Sequence, residues 1–298
     1  MMIILKTDRL MAMIAEPGVA PNNNFRFSRA GAVTQVVLDG SYYFCASEPH
    51  HLAHPSSGGC GLMNEFLFDV SNEAKDGEYF PKIGIGLLRK DKEGYAMYRR
   101  YDPEEVQLFP ITFECSENTI VFEIQPLPCM GYAFRQTRKI ELVDNALWMH
   151  DQIFNVGEKS FSTEEYCHNF MTINGLALGP TYHFSLPDLT DRGFSTIAGT
   201  INGEGRGLSY TGYNHAPASF DISGDDIRSA GTFQWSLYNT EGSYDRSASC
   251  RIDVMECFQP SRLGFWAVDH MMSLEVFKSI TLAPGEDASW SRQYTFSA

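Results

Sequence analysis

Residues Arg138–Gly175 read RKIELVDNALWMHDQIFNVGEKSFSTEEYCHNFMTING, and three strands joined by two tight turns are legible in them. Arg138 to Leu142 is a strand, Asp144-Asn145 a turn, and Ala146 to Val156 a second strand. Gly157-Glu158-Lys159 turns the chain again, and a third strand ends on His168 among polar neighbours. Short runs of β-branched, aromatic and alternating residues bounded by Asn, Asp and Gly are the pattern of antiparallel strands.

The same punctuation continues on both sides. Val33 to Leu38 is a strand, Asp39-Gly40 a hairpin-type turn, and Tyr42-Tyr43-Phe44 an aromatic strand. Thr119 to Ile124 alternates before Pro126, and Phe265 to Val268, Ser273 to Phe277, Ile280 to Leu282 and Tyr294 to Phe296 close the chain. Helical period is confined to Glu73–Tyr79 and Pro103–Val106, each long enough for one short turn. With no strand–helix alternation and no internal repeat, the expected architecture is all-β, a large antiparallel β-sandwich. Residues 1–24 read as a short leader ending at Pro17 and Asn22-Asn23-Asn24, and residues 25–298 as one domain.

A chain of 298 residues with 43% hydrophobic and 20% charged residues can bury a large core, which excludes wholesale disorder. Its formal net charge of −14 disfavours nucleic acid or an anionic membrane as partner, since both select basic surfaces. Nothing approaches the ~18 consecutive apolar residues of a membrane span. Seven cysteines without CxxC or CxxH spacing fit reduced thiols in a cytoplasmic protein rather than a disulfide framework or a zinc knuckle. A monomer or a homodimer joined through edge strands is expected.

Taken in order, these segments resemble the aldose 1-epimerase (galactose mutarotase) superfamily, as a divergent member. Arg29-Ala30-Gly31-Ala32-Val33 with the Asp39-Gly40 turn is similar to its opening hairpin, and Arg138–Gly175 is the most similar segment. Ser273-Leu274-Glu275-Val276-Phe277, followed by Thr281-Leu282-Ala283-Pro284-Gly285-Glu286, is similar to its closing strand and Leu-x-Pro-Gly-Glu turn. The resemblance implies a twisted β-sandwich with a sugar-binding cleft, and interconversion of α and β anomers without metal, nucleotide or other cofactor. It also implies a general acid at His168 and a general base at Glu275. Two features depart from the family pattern: the usual Asn-Arg and second His before the acid are not located, and the short Glu275-to-Pro284 spacing is similar to the sugar-phosphate branch.

Mutarotation itself asks for one proton removed from the anomeric hydroxyl and one delivered to the ring oxygen, work suited to an imidazole and a carboxylate near neutral pH. A lone strand-end histidine is more often a hydrogen-bonded structural residue, and Glu275 could be a solvated outward group, with Glu256 the next candidate base. Lys82, Asn169, Asp269, His270 and Arg99 are candidate sugar contacts, and Trp266 and Trp235 candidate stacking rings with core burial as the plainer reading. His50-His51-Leu52-Ala53-His54 lacks the carboxylates of a metal site, so no metal is expected. Cys167 points away from His168, because neighbours on a strand face opposite sides. The alternatives are a carbohydrate-binding protein without turnover, a sugar-phosphate mutarotase, and a protein that modifies or cleaves an acidic or unusual sugar.

Overall fold

The computed structural model describes residues 2–18, 25–48, 58–96, 99, 101–190, 200–204, 206–242 and 249–298. They form a nine-stranded sheet, a ten-stranded sheet and a small three-stranded sheet, every named pairing antiparallel. Three single-turn 3-10 helices at Ser71–Glu73, Pro103–Glu105 and Gly224–Asp226 are the helical elements among these residues. Among the described residues, no helix is long and apolar enough to cross a membrane. The chain is an all-β antiparallel sandwich.

The Arg138–Gly175 reading matches in order and type. The strands are Phe134–Val143, Ala146–Asn155 and Phe161–Phe170. The first begins four residues before the expected start, because Phe134 and Gln136 extend the same inward alternation. Asp144 makes the two-residue turn with φ of 53°, a left-handed geometry that aspartate tolerates better than most residues. The first two strands lie in the ten-stranded sheet and the third crosses to the nine-stranded one.

The N-terminal expectation is corrected. Met2–Lys6 and Leu10–Ala15, within the expected leader, form a hairpin at the edge of the nine-stranded sheet, the second strand pairing with Val33–Leu38. Apolar Ile3, Leu5, Leu10, Ala12 and Ile14 pack into the core, an alternation that the eye misses when Thr7, Asp8 and Arg9 interrupt the run.

The core lies between the inner faces of the two large sheets, with Phe44, Phe122, Ile140, Leu147, Trp235, Leu274 and Phe296 among its residues. It also holds charge. Arg292 is fully buried between Glu165, at 3.1 and 2.7 Å, and Glu256, at 2.8 Å, while Arg138 pairs with Asp151 at 2.6 Å. Asn64 donates to Glu165 from the neighbouring strand. Opposite charges side by side offset the cost of burying such a network.

Candidate active site

Two strands of the nine-stranded sheet flank Phe161–Phe170: Gly61–Phe66 on one side and Met272–Leu282 on the other. Alternation divides the central strand. Glu165, Cys167 and Asn169 turn inward to the charged core; Tyr166, His168 and Phe170 turn outward. The ladder with Met272–Leu282 runs from Phe161–Leu282 to Glu165–Lys278, and the Met171–Met272 bridge continues the same register. That register sets His168 opposite Glu275 on the outer face. Across the other ladder, Glu65 is the direct partner of Tyr166.

His168 is 2% exposed, and its two ring nitrogens face two carboxylates. Nε2 lies 2.9 Å from Glu65 Oε2; Nδ1 lies 2.7 Å from Glu275 Oε1, which sits off the axis along which that nitrogen would donate. Phe27 meets the imidazole edge-on at 4.9 Å, and Phe170 stacks on it at 5.2 Å. Arg26 and Phe27 come from the segment before Val33–Leu38, whose Ser28 and Arg29 amides bond Asn64 and Gly84 carbonyls and so hold it over the sheet. Glu65 Oε2 accepts from Arg26 Nε at 2.7 Å and from Tyr166 OH at 2.7 Å.

Burial alone would raise the Glu65 pKa, but Arg26, the His168 hydrogen bond and the Lys82 charge together hold it well below the usual carboxylate range. Burial and Arg26 push the His168 pKa down, and the neighbouring Glu275 charge with the Glu65 hydrogen bond more than reverses this, so the protonated ring is favoured. Tyr166 is held neutral by burial and by the same carboxylates.

Glu275 opens the site. Its side chain is 17% exposed, against 3% for His168 and none for Glu65. Its register partner on the neighbouring strand is Gly264, where even a Cβ would stand 3.4 Å from Glu275 Oε2. Missing bulk at Gly264 therefore leaves Oε2 uncovered. Around it on the same face are half-buried Trp266, which meets Phe170 edge-on at 6.3 Å, exposed Asp221, and Arg262. Ser273 Oγ donates to Glu275 Oε1 at 3.3 Å.

Other candidates fall elsewhere. Asn169 is fully buried on the inner face, donating to the Leu274 carbonyl and accepting from Tyr294 OH, so it is a structural tie rather than a sugar contact. Glu256 belongs to the Arg292 cluster between the sheets and cannot be the base. Arg99 pairs with Asp91 at 2.6 Å and Glu105 at 3.0 Å over the Tyr101 ring. Lys82 is not an exposed loop lysine: it ends a strand, 1% exposed, donates to the Phe66 carbonyl and lies 4.6 Å above Tyr95. Burial lowers its pKa to about 8, with Glu65 opposing. It supports Glu65 from behind. His270 is half-exposed, bonded to Asp269 at 2.7 Å and to the Ser47 carbonyl at 3.0 Å. Trp235 is core. His50, His51, His54 and Arg100 lie outside the described residues.

Glu65, Arg26, Tyr166 and Gly264 were not singled out from sequence. The signal for Glu65 is a carboxylate within the apolar strand Gly61-Leu62-Met63-Asn64-Glu65-Phe66, which demands a buried partner. Nothing local says that the partner is Arg26, 39 residues earlier. An open groove of about 240 Å³ on the outer face of the ten-stranded sheet, lined by Ser236, Asp253, Gln293 and Thr295 among others, is remote from these groups.

No family model and no curated protein sequence matches the chain. Solved structures do. A galactose mutarotase-like protein from Lactobacillus casei ATCC 334 superposes with a TM-score of 0.58 at 13% identity, covering 100% of both chains. A galactose mutarotase related enzyme from Lactobacillus acidophilus gives 0.57 at 12%, covering 100% of this chain and 98% of the other. A galactose mutarotase-like protein from Clostridium acetobutylicum gives 0.57 at 11%, covering 99% and 95%. The chain has the galactose mutarotase-like fold.

Proposed function

We propose that the protein is an aldose 1-epimerase-like isomerase that interconverts the anomers of a sugar at Glu275 and His168. The observation that supports this reading is the pairing itself: a carboxylate and an imidazole 2.7 Å apart on the outer face of the sheet, with one carboxylate oxygen beside Gly264. Glu275 Oε2 takes the proton of the anomeric hydroxyl. His168, charged before the reaction, supplies the proton that the ring oxygen needs as the ring opens, and closure reverses both transfers. Trp266 offers an aromatic face to the apolar side of the sugar.

The arginines on this face favour a neutral sugar over a phosphate ester. Arg26 is held by Glu65, and Arg262 by Glu164 at 2.9 Å while stacking on Phe277. A second reading, sugar binding without turnover, is favoured by the closed His168–Glu275 contact, which leaves no room for a ring between them.

Two-dimensional NMR exchange spectroscopy on a panel of aldoses, uronic acids and sugar phosphates tests the proposal. The expected result is accelerated exchange between anomeric proton signals of a neutral aldose, falling about 10²-fold or more in His168→Ala and in Glu275→Gln. Exchange unchanged in both variants rejects the assignment. Calorimetric binding without exchange selects the second reading.

A further inference from the structure

We infer that buried Glu65, clamped by Arg26 and Tyr166, is a positioning residue that fixes the proton on Nε2 of His168 and thereby makes Nδ1 the working nitrogen. The inference rests on the His168 role proposed above, but it concerns which atom carries the proton and can be read without any sugar.

Donors and acceptors around Glu65 set the tautomer of His168. Glu65 Oε2 receives Arg26 Nε at 2.7 Å, Tyr166 OH at 2.7 Å and His168 Nε2 at 2.9 Å. An ionised carboxylate only accepts, so Nε2 must bear hydrogen whether the ring is charged or neutral. The competing arrangement has Nε2 accept from Arg26 Nη2. That contact is 3.4 Å, and Nη2 also points to Tyr166 OH at 3.4 Å, so the shorter bond to Glu65 decides. The proton that His168 can lose is therefore on Nδ1.

Nδ1 has what a working atom needs. It is buried, it faces Glu275 Oε1 at 2.7 Å, and that oxygen is out of line for a good hydrogen bond. A carboxylate or ligand oxygen shifted into line takes up a donor that the protein has left under-used. When Nδ1 gives up its proton, the ring becomes the neutral Nε2–H tautomer, and the Glu65 charge remains matched by Arg26 at one side and Lys82 behind. The titratable and charged groups facing the ring are Glu65, Glu275, Arg26 and Tyr166; the remaining contacts, Phe27 and Phe170, carry no charge. Glu65 thus does for His168 what the oriented carboxylate behind a catalytic imidazole does generally: it selects the tautomer and stabilises the cation.

The test is ¹⁵N NMR of the full-length protein with labelled histidine, titrated between about pH 5 and 9, the His168 signals being those lost in His168→Asn. The expected result is that Nε2 keeps its proton throughout while Nδ1 carries the titration. A neutral form protonated at Nδ1, or a titrating Nε2, overturns the inference. In Glu65→Gln, the His168 pKa should fall by about one to three units, the usual effect of removing an adjacent carboxylate. The high-pH limb of any anomer-exchange profile should move to lower pH with it. An unchanged tautomer and pKa in a folded Glu65→Gln protein also overturns it. If that variant does not fold, the wild-type tautomer decides alone. Failure of the function leaves a different trace: the Nε2–H tautomer present, with no anomer exchange.

Discussion

At the scale of single residues, the site depends as much on what is missing as on what is present. Gly264 is the register partner of Glu275, and its φ is not in the left-handed region, so alanine fits the backbone. A methyl group there would stand 3.3 Å from the Phe277 ring, 3.4 Å from Glu275 Oε2 and 3.6 Å from Asp221 Oδ1. Gly264→Ala should keep stability within about 1 kcal/mol, the strand preference for alanine offsetting the tight contact with the Phe277 ring, while lowering kcat/KM by covering the working oxygen. Urea unfolding and anomer exchange on the same preparation check the two expectations; loss of both, or of neither, contradicts the assignment of Oε2. His168 and Glu275 were brought forward by the resemblance of their stretches to a family pattern, and the register sets them opposite one another on one face. Asn169 and Lys82 misled because polarity alone does not tell which face of a strand a residue occupies. Asn169 turns inward to Tyr294 OH, and Lys82 is buried over the Tyr95 ring.

At the scale of elements, the Gly61–Phe66 strand is the hidden half of the site. It begins where Gly61 takes φ of 65° against the backbone of Val33, and a Cβ would strike the Val33 carbonyl. Gly61→Ala should cost more than about 1 kcal/mol by urea unfolding, since the backbone cannot relax away from a neighbouring strand. If stability is unchanged, the close approach is wrong. Three strands of the site were readable from alternation; the strand bearing Glu65 was not, because it is buried on both faces and Asn64-Glu65 break the period-2 pattern. The N-terminal hairpin failed for a related reason. Its apolar alternation is clear only once the turn at Thr7–Arg9 is known to reverse the chain.

At the scale of the whole molecule, the two sheets are joined behind His168 by Arg292, which reaches Glu165 on the site strand and Glu256 on the opposite sheet. Glu165→Ala leaves a buried guanidinium short of a partner and should cost about 3–5 kcal/mol in thermal or urea unfolding. Burial raises the Glu256 pKa to about 7 from 4.5, against the pull of Arg292. The folded state then binds a proton that the unfolded state has released, so stability falls as pH rises from about 4.5 through 7. His168, its pKa raised above 6.5, adds stability that is likewise lost on the alkaline side; Glu65, its pKa depressed, adds stability that is lost on acidification. A melting-temperature scan should decline from pH 5 toward 8, less steeply in Glu256→Gln; a flat or rising scan contradicts the charge arrangement. None of this was visible along the chain, because Arg292 meets Glu256 only when their strands pair and meets Glu165 only when the sheets close. The central claim is that this sandwich holds a working acid–base pair, and polarimetry of a freshly dissolved α-aldose measures it most directly. The account predicts optical rotation relaxing faster with wild-type protein than in buffer, and close to the buffer rate with Glu275→Gln; equal rates for wild type and Glu275→Gln would contradict it.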